Sequence, residues 1–169
     1  YDLLVELKVD AFAVDRFIPE RVDNHGFNNE VLSREEIQEA FTTYLRLNDK
    51  HKCSTTKLVP YKALFCLLGD ETENEIGAAC SAGKSALDIL PDGTILPCRR
   101  LPIPLGNILK DNIYEIWFNN EVLWSLRNTN NLKGKCNGCD YLYKCGGCRA
   151  MALAVSGDYL EEDPLCWKN

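Results

Sequence analysis

The chain has 169 residues, of which 46% are hydrophobic and 26% charged, a composition typical of soluble globular domains. No apolar run approaches the ~20 residues that span a membrane, and the N-terminus lacks the basic and apolar stretch of a signal sequence, so we expect neither a membrane-spanning nor a secreted protein. The net charge of -6, from 25 acidic and 19 basic residues, argues against broad binding to nucleic acid or to anionic membranes, because phosphate contacts need clustered Lys and Arg.

The first part of the chain predicts a strand, a helix and a second strand. The stretch from Ala11 to Pro19 alternates in polarity as a short buried strand does, and a loop rich in Asn and Gly follows it. Ser33 and Glu36 form a capping box, and apolar residues then recur at helical spacing, which predicts a helix from about Ser33 to Asn48. A second apolar stretch from Lys57 to Pro60 completes a βαβ unit that is too small to be a fold by itself.

From Cys80 onward the sequence predicts short elements separated by turn residues. The segment 86–98 predicts a β-hairpin that turns at Pro91-Asp92-Gly93, since glycine accepts positive φ. Two short helices follow, the first of them capped by Asp111. A last helix is expected from about Cys148 to Val155.

Nine cysteines are the informative part of the composition, and seven of them lie from residue 80 onward. Disulfides, zinc and iron–sulfur clusters compete as explanations. Disulfides are disfavoured because nothing indicates an oxidising compartment, nine is an odd number, and a chain of this length forms a core without them. The pairs Cys136/Cys139 and Cys145/Cys148 are spaced so that two thiolates can converge on one metal or cluster. We therefore expect metal binding and a cytoplasmic protein.

The cysteines fall into three blocks, and a glycine lies inside the first. Their order, with the number of intervening residues, is Cys80, twelve, Gly93, four, Cys98; then Cys136, two, Cys139, five, Cys145, two, Cys148; then Cys166. A lone CxxC would be weak support for a metal site, whereas three spaced blocks together are strong. This pattern resembles the SPASM domain, the C-terminal auxiliary iron–sulfur domain of many radical S-adenosylmethionine enzymes.

Longer segments narrow the resemblance. PLGNILKDNIYEIW, LKGKCNGCDYLYKCGGCRA and SGDYLEEDPLC look like segments of the radical enzymes of alternative haem and haem d1 biosynthesis, which act on porphyrin side chains, and peptide maturases carry related segments. VDAFAVDRFIPE is similar to a late strand of the partial barrel of these enzymes. The resemblance implies an α+β fold, with the end of a partial (β/α) barrel in residues 1–70, contributing one strand–helix unit. A small SPASM domain follows in residues 71–169, with a β-hairpin and short helices around two clusters.

The resemblance also implies two auxiliary [4Fe–4S] clusters and their ligands. The first cluster is expected on Cys80, Cys98 and Cys148, and the second on Cys136, Cys139, Cys145 and Cys166. The first set is one thiolate short, and Cys66 is the candidate fourth ligand, ahead of Cys53. The alternatives for Cys66 are a buried free thiol and, for the cluster, an open iron that can touch substrate.

The sequence contains no CxxxCxxC loop, which a radical S-adenosylmethionine enzyme needs to hold the cluster that cleaves the cofactor. The resemblance therefore implies a C-terminal portion of a longer enzyme, whose N-terminal barrel would bind S-adenosylmethionine and its own [4Fe–4S] cluster, and it implies that this chain is inactive alone. In the parent, the portion would transfer electrons and dock a porphyrin-like or peptide substrate, with no nucleic-acid or membrane partner. A structural zinc-binding interaction module, with sites of four cysteines each, is the rival interpretation, since CxxC pairs alone do not exclude it.

Overall fold

A computed structural model describes residues 1–19, 31–59, 63–68 and 80–168 of the chain. These residues form five α-helices, five short strands and three turns of 3-10 helix. The α-helices are α1 (Asp2–Glu6), α2 (Arg34–Lys50), α3 (Ile113–Asn119), α4 (Glu121–Arg127) and α5 (Arg149–Ser156). The strands are β1 (Ala11–Phe12), β2 (Lys57–Leu58), β3 (Asp88–Ile89), β4 (Thr94–Leu96) and β5 (Gly106–Asn107), and the 3-10 turns are Phe65–Leu68, Thr129–Asn131 and Gly134–Cys136. No helix in these described ranges is long and apolar enough to cross a membrane.

β1 and β2 pair in parallel, with Ala11 opposite Lys57, and α2 connects them. The Ser33 side chain accepts a hydrogen bond from the Glu36 amide at 3.1 Å, and the Glu36 carboxylate accepts one from the Ser33 amide at 2.7 Å, so the predicted capping box starts α2. The strand is shorter than the alternation from Ala11 to Pro19 predicts. Beyond Phe12 the chain leaves the sheet and buries the charged side chain of Arg16 elsewhere in the molecule.

A three-stranded antiparallel sheet lies in the second part of the chain, in the order β3, β4, β5. β3 and β4 flank the turn at Gly93, whose φ of 84° lies in the left-handed region that glycine adopts without strain. The cap of α3 is Asn112, whose side chain accepts from the Tyr114 amide at 2.9 Å, and not Asp111 as the sequence predicts. The Asp111 carboxylate instead accepts from the Asn107 amide at 2.7 Å, which closes the turn after β5.

Two hydrophobic clusters form the core, and α5 contributes to both. The first cluster joins α2, the 3-10 turn Phe65–Leu68, α5 and the C-terminal segment, through buried residues that include Ile37, Phe41, Phe65, Met151 and Leu165. The second joins the three-stranded sheet, α3, α4 and α5, through buried residues that include Ile95, Leu101, Ile116, Leu123 and Ala150. Because the first cluster contains residues from both of the predicted units, 1–70 and 71–169, these units share one core.

Phe41 tests this shared core, because its ring contacts Trp167 of the second predicted unit at 6.2 Å between ring centroids. Phe41 also stacks on Phe65 within the first unit. Their ring centroids are 4.0 Å apart, and Phe41 is 1% exposed. Replacing Phe41 with Ala should cost about 3–5 kcal/mol of unfolding free energy, because a buried aromatic ring is lost and a cavity remains. Phe118, which is 57% exposed, provides the control, and Phe118→Ala should cost about 0.5 kcal/mol or less. Denaturant unfolding at equal metal content compares them, and equal midpoints would contradict the shared core.

Candidate metal centre

Four cysteines of the sequence pattern line one cavity of about 250 Å³. We call it the four-thiol cavity, and its cysteines are Cys136, Cys139, Cys145 and Cys166. Cys136 ends a 3-10 turn, whereas Cys166 approaches from the C-terminal segment. Leu64 and Leu67 form part of the wall, and Lys168 also lines the cavity. The structure thus brings together thiols that are up to thirty positions apart in the chain.

The Cys145 sulfur is surrounded by hydrogen-bond donors. It accepts hydrogen bonds from the backbone amides of Leu64 and Gly147, each at 3.4 Å. The neighbouring Cys66 thiol donates a further hydrogen bond, which is the main reason why the pKa of Cys145 falls to about 6 even though burial opposes ionisation. The same contact and burial raise the pKa of Cys66. Amide and thiol donors aimed at one sulfur favour a thiolate, which is the form that binds metal.

Two glycines separate Cys145 from Cys148, and the turn that they form directs the two cysteine side chains into different cavities. Gly146 and Gly147 both have positive φ, 65° and 61°. A Cβ atom added at Gly147 would lie 3.0 Å from the Asp163 Cβ atom and 3.4 Å from the Cys136 sulfur. Only glycine therefore fits at position 147 without displacing the cavity wall.

Cys148 lies in a second cavity of about 310 Å³, together with Cys80 and Cys98. We call it the three-thiol cavity. Arg16 and Arg100 also line it, and the Arg100 guanidinium forms an ion pair with Asp15 at 2.6 Å. Its lining thus combines three thiols with three arginines and two aspartates, Arg16, Arg99, Arg100, Asp15 and Asp88. Positive charge beside thiolates offsets the negative charge of a metal–sulfur centre.

The two remaining cysteines lie outside the three-thiol cavity. Cys66 is buried in the first hydrophobic cluster and contacts Cys145 of the four-thiol cavity, because the 3-10 turn Phe65–Leu68 packs against α5. Cys53 is exposed in the turn that follows α2. Neither position supports the prediction of a fourth ligand for the first set of cysteines.

A buried ion pair between Arg16 and Asp163 is the part of the site that the sequence reasoning missed. The Arg16 guanidinium donates to both carboxylate oxygens, at 3.0 and 2.8 Å, and the side chains are only 5% and 0% exposed. The carboxylate also accepts from the backbone amides of Cys148 at 2.8 Å and Leu165 at 3.1 Å. Burial opposes ionisation of Asp163, but the Arg16 charge and these hydrogen bonds outweigh it and hold the pKa of the carboxyl below its usual range.

The sequence carries a weak signal for this pair. Arg16 is the one basic residue in the apolar stretch from Ala11 to Pro19, and Asp163 lies three residues before Cys166. Nothing in the sequence links the two residues, since 147 positions separate them.

Arg149, at the start of α5, is also buried. It donates to the backbone carbonyls of Tyr159 at 3.1 Å and Glu161 at 2.6 Å, and its second terminal nitrogen lies 3.7 Å from the Cys136 sulfur. The side chain therefore fastens the C-terminal segment to α5 and places positive charge beside a thiol of the four-thiol cavity.

The two thiol-lined cavities have room for a metal–sulfur cluster. Within the residues that the structure describes, no three His, Cys, Asp or Glu side chains lie close enough together to enclose a single metal ion. The thiols instead line two cavities, one of about 250 Å³ and one of about 310 Å³. Thiol ligands, backbone amides aimed at sulfur and neighbouring cationic side chains fit an anionic iron–sulfur cluster.

Comparison with known families agrees with this chemistry. Residues 80–140 match the sequence model of the SPASM family, which is described as an iron–sulfur cluster-binding domain. This match confirms the resemblance inferred from the cysteine pattern.

The curated relatives include AdoMet-dependent heme synthases and a peptide cyclase. The AdoMet-dependent heme synthase of Methanosarcina barkeri (strain Fusaro / DSM 804) is 46% identical over 87 residues, which cover 52% of this chain and 25% of the relative. The enzyme of the same name from Nitratidesulfovibrio vulgaris is 29% identical over 153 residues, covering 83% of this chain and 42% of the relative. The PqqA peptide cyclase of Ruegeria pomeroyi is 36% identical over 89 residues, covering 50% and 24%. The chain therefore spans between 24% and 42% of the length of these relatives.

A solved structure shares the fold. The chain superimposes on Streptococcus suis SuiB bound to S-adenosylmethionine with a TM-score of 0.67, covering 99% of this chain and 40% of SuiB at 18% sequence identity. The mixed helix and sheet architecture is thus the α+β arrangement expected from the sequence.

The contact between Cys66 and Cys145 predicts a specific titration. In the metal-free protein the Cys145 thiolate should form near pH 6, whereas burial raises the pKa of Cys148 and Cys166 and keeps these thiols protonated there. Replacing Cys66 with Ala removes a hydrogen bond to the thiolate, so the pKa of Cys145 should rise. Thiolate absorbance in the ultraviolet, measured as the difference from Cys145→Ala, follows this titration.

Two further variants control this titration. Cys66→Ser keeps a donor at the same position and should keep the pKa of Cys145 low. Cys53→Ala alters an exposed thiol and should leave the titration unchanged. An unchanged titration in Cys66→Ala would show that the thiol of Cys66 does not stabilise the Cys145 thiolate.

Proposed function

We propose that this chain is the auxiliary-cluster portion of a radical S-adenosylmethionine enzyme and that it holds two [4Fe–4S] clusters that transfer electrons during modification of a haem-related or peptide substrate. The observation that carries the proposal is the separation of the seven cysteines into two cavities, four thiols in one and three in the other. The match of residues 80–140 to an iron–sulfur cluster-binding family supports iron as the metal.

The four-thiol cavity is the proposed site of the second cluster, with Cys136, Cys139, Cys145 and Cys166 as ligands. One thiolate for each of four irons is the usual ligation of a [4Fe–4S] centre. Two backbone amides already donate to the Cys145 sulfur, and hydrogen bonds to cluster sulfurs are among the factors that set the potential.

The three-thiol cavity is the proposed site of the first cluster, with Cys80, Cys98 and Cys148 as ligands. Because Cys66 contacts Cys145 of the other cavity, we favour an open fourth iron over ligation by Cys66. An iron without a protein thiolate can bind a donor atom of a substrate.

The remainder of the enzyme supplies the catalytic step in this proposal. Two parallel strands and one connecting helix do not close a barrel, so we propose that further barrel strands, S-adenosylmethionine and its own cluster belong to the full-length parent. The relatives are named for heme synthesis and for cyclisation of the peptide PqqA, which supports a haem-related or peptide substrate. Free thiols and iron–sulfur clusters persist in a reducing compartment, so we place the protein in the cytoplasm.

A structural zinc module is not favoured. Zinc sites use three or four ligands converging on one ion, and no such group lies within residues 1–19, 31–59, 63–68 and 80–168. The matched family is described by iron–sulfur binding.

The iron content tests the two-cluster proposal. After anaerobic reconstitution the chain should bind about eight irons, as two cubane clusters require. Cys139→Ala and Cys98→Ala should each remove about half of the iron, and each should abolish a different paramagnetic resonance signal, because the two residues line different cavities. Cys53→Ala is the matched control and should retain both signals. Loss of the same signal in both cavity variants, or stoichiometric zinc in place of iron, would contradict the proposal.

Incubation with S-adenosylmethionine and a reductant tests whether cleavage of the cofactor requires the rest of the parent enzyme. The reconstituted chain should form no 5′-deoxyadenosine, because its sequence has no CxxxCxxC loop to leave an iron open to the cofactor. A complete radical enzyme assayed in parallel verifies the conditions. Turnover that scales with the concentration of this chain would refute the assignment of the cleavage step to the missing barrel.

A further inference from the structure

The Arg16–Asp163 ion pair lies between the two cavities, and its two charges face different cavities. Arg16 lines the three-thiol cavity, whereas Asp163 lines the four-thiol cavity. Both side chains are almost fully buried, at 5% and 0% exposure. A charge pair with this orientation is a fixed dipole whose positive end points to the first proposed cluster and whose negative end points to the second.

Asp163 of the pair also accepts hydrogen bonds from backbone amides of cysteines in both cavities. The Asp163 carboxylate accepts from the amide of Cys148, a thiol of the three-thiol cavity, at 2.8 Å. The backbone carbonyl of Asp163 accepts from the amide of Cys166, a thiol of the four-thiol cavity, at 3.0 Å. The dipole therefore keeps its orientation relative to both cavities.

Burial makes this dipole effective. Charges in the interior of a protein are screened much less than charges on the surface, and reduction of a cluster adds one negative charge to it. A nearby positive charge stabilises the reduced form and raises the potential, and a nearby negative charge lowers the potential. Burying two charges is itself costly, and an apolar pair of similar volume is often at least as stable, so folding alone does not account for the pair.

We propose that the Arg16–Asp163 pair is a positioning pair that sets the order of the two cluster potentials, holding the cluster of the three-thiol cavity higher and that of the four-thiol cavity lower than they would be without it. The inference rests on the two-cluster function proposed above. An electron that enters at the four-thiol cavity then moves downhill in energy toward the cluster with the open iron.

The decisive variant replaces both charges with neutral side chains of similar shape, Arg16→Gln together with Asp163→Asn. Midpoint potentials of both clusters are measured by redox titration with paramagnetic resonance detection on the anaerobically reconstituted chain. The potential of the first cluster should fall and that of the second should rise, which narrows the gap between them. Two intact clusters with an unchanged gap would overturn the inference.

If the double variant binds less iron, single variants at Arg16 still test whether the pair sets the gap between the two potentials. Arg16→Gln removes the positive charge and keeps the Asp163 side chain with its hydrogen bonds from the Cys148 and Leu165 amides, and it should lower the first potential more than the second. Equal shifts of both potentials would overturn the inference. Arg16→Lys retains the positive charge and should preserve the gap, which a role limited to packing of the guanidinium would not achieve.

A surface pair provides the matched control. Lys133 and Asp158 form an ion pair at 2.6 Å with side chains 52% and 34% exposed, and neither lines one of the two cavities. Lys133→Gln should leave both potentials unchanged, because solvent screens this charge. The iron count distinguishes a failure of the proposed function from a failure of this inference alone. A single cluster in the unmodified chain would overturn the proposed function and this inference with it, whereas two clusters with an unchanged gap would overturn this inference alone.

Discussion

The turn between Cys145 and Cys148 has to send two thiols in different directions within two residues, and the arrangement of the whole site depends on how it does so. Gly146 and Gly147 both adopt left-handed backbone conformations, so Cys145 faces the four-thiol cavity and Cys148 the three-thiol cavity. The same turn presents the Gly147 amide to the Cys145 sulfur at 3.4 Å. One short segment thereby supplies thiols to both cavities and starts α5, which lies in both parts of the hydrophobic core.

Helix α5 explains why the parts of the chain cannot be treated as separate bodies. Met151 belongs to the hydrophobic cluster that contains Phe41 of α2, while Ala150 belongs to the second hydrophobic cluster. Any movement of the N-terminal βαβ unit against α5 would therefore change the walls of both cavities. In the proposed parent enzyme, this rigid connection would fix the distance between the barrel and the clusters, on which the rate of electron transfer depends.

Local signals in the sequence predicted local structure well. The capping box of Ser33 and Glu36 predicted the start of α2. The division of the cysteines into two groups came from the resemblance to the SPASM domain, and the cavities of the structure have the same grouping. Asp111 and Asn112 are both competent caps, and only the backbone of the preceding turn decides between them. The position of Cys66 and the pairing of Arg16 with Asp163 depend on packing between distant segments, which residue spacing does not encode.

The long separation of Arg16 and Asp163 has a consequence for the order of events during synthesis. The helix α2 and the β3–β4 pair involve neighbouring residues, so they can form while the chain is still emerging from the ribosome. The ion pair closes a loop of 147 residues, and the four-thiol cavity lacks one wall until Cys166 is in place. The four-thiol cavity therefore has all of its thiols only after residue 166 has been synthesised, later than the residues of α2 and of the β3–β4 pair.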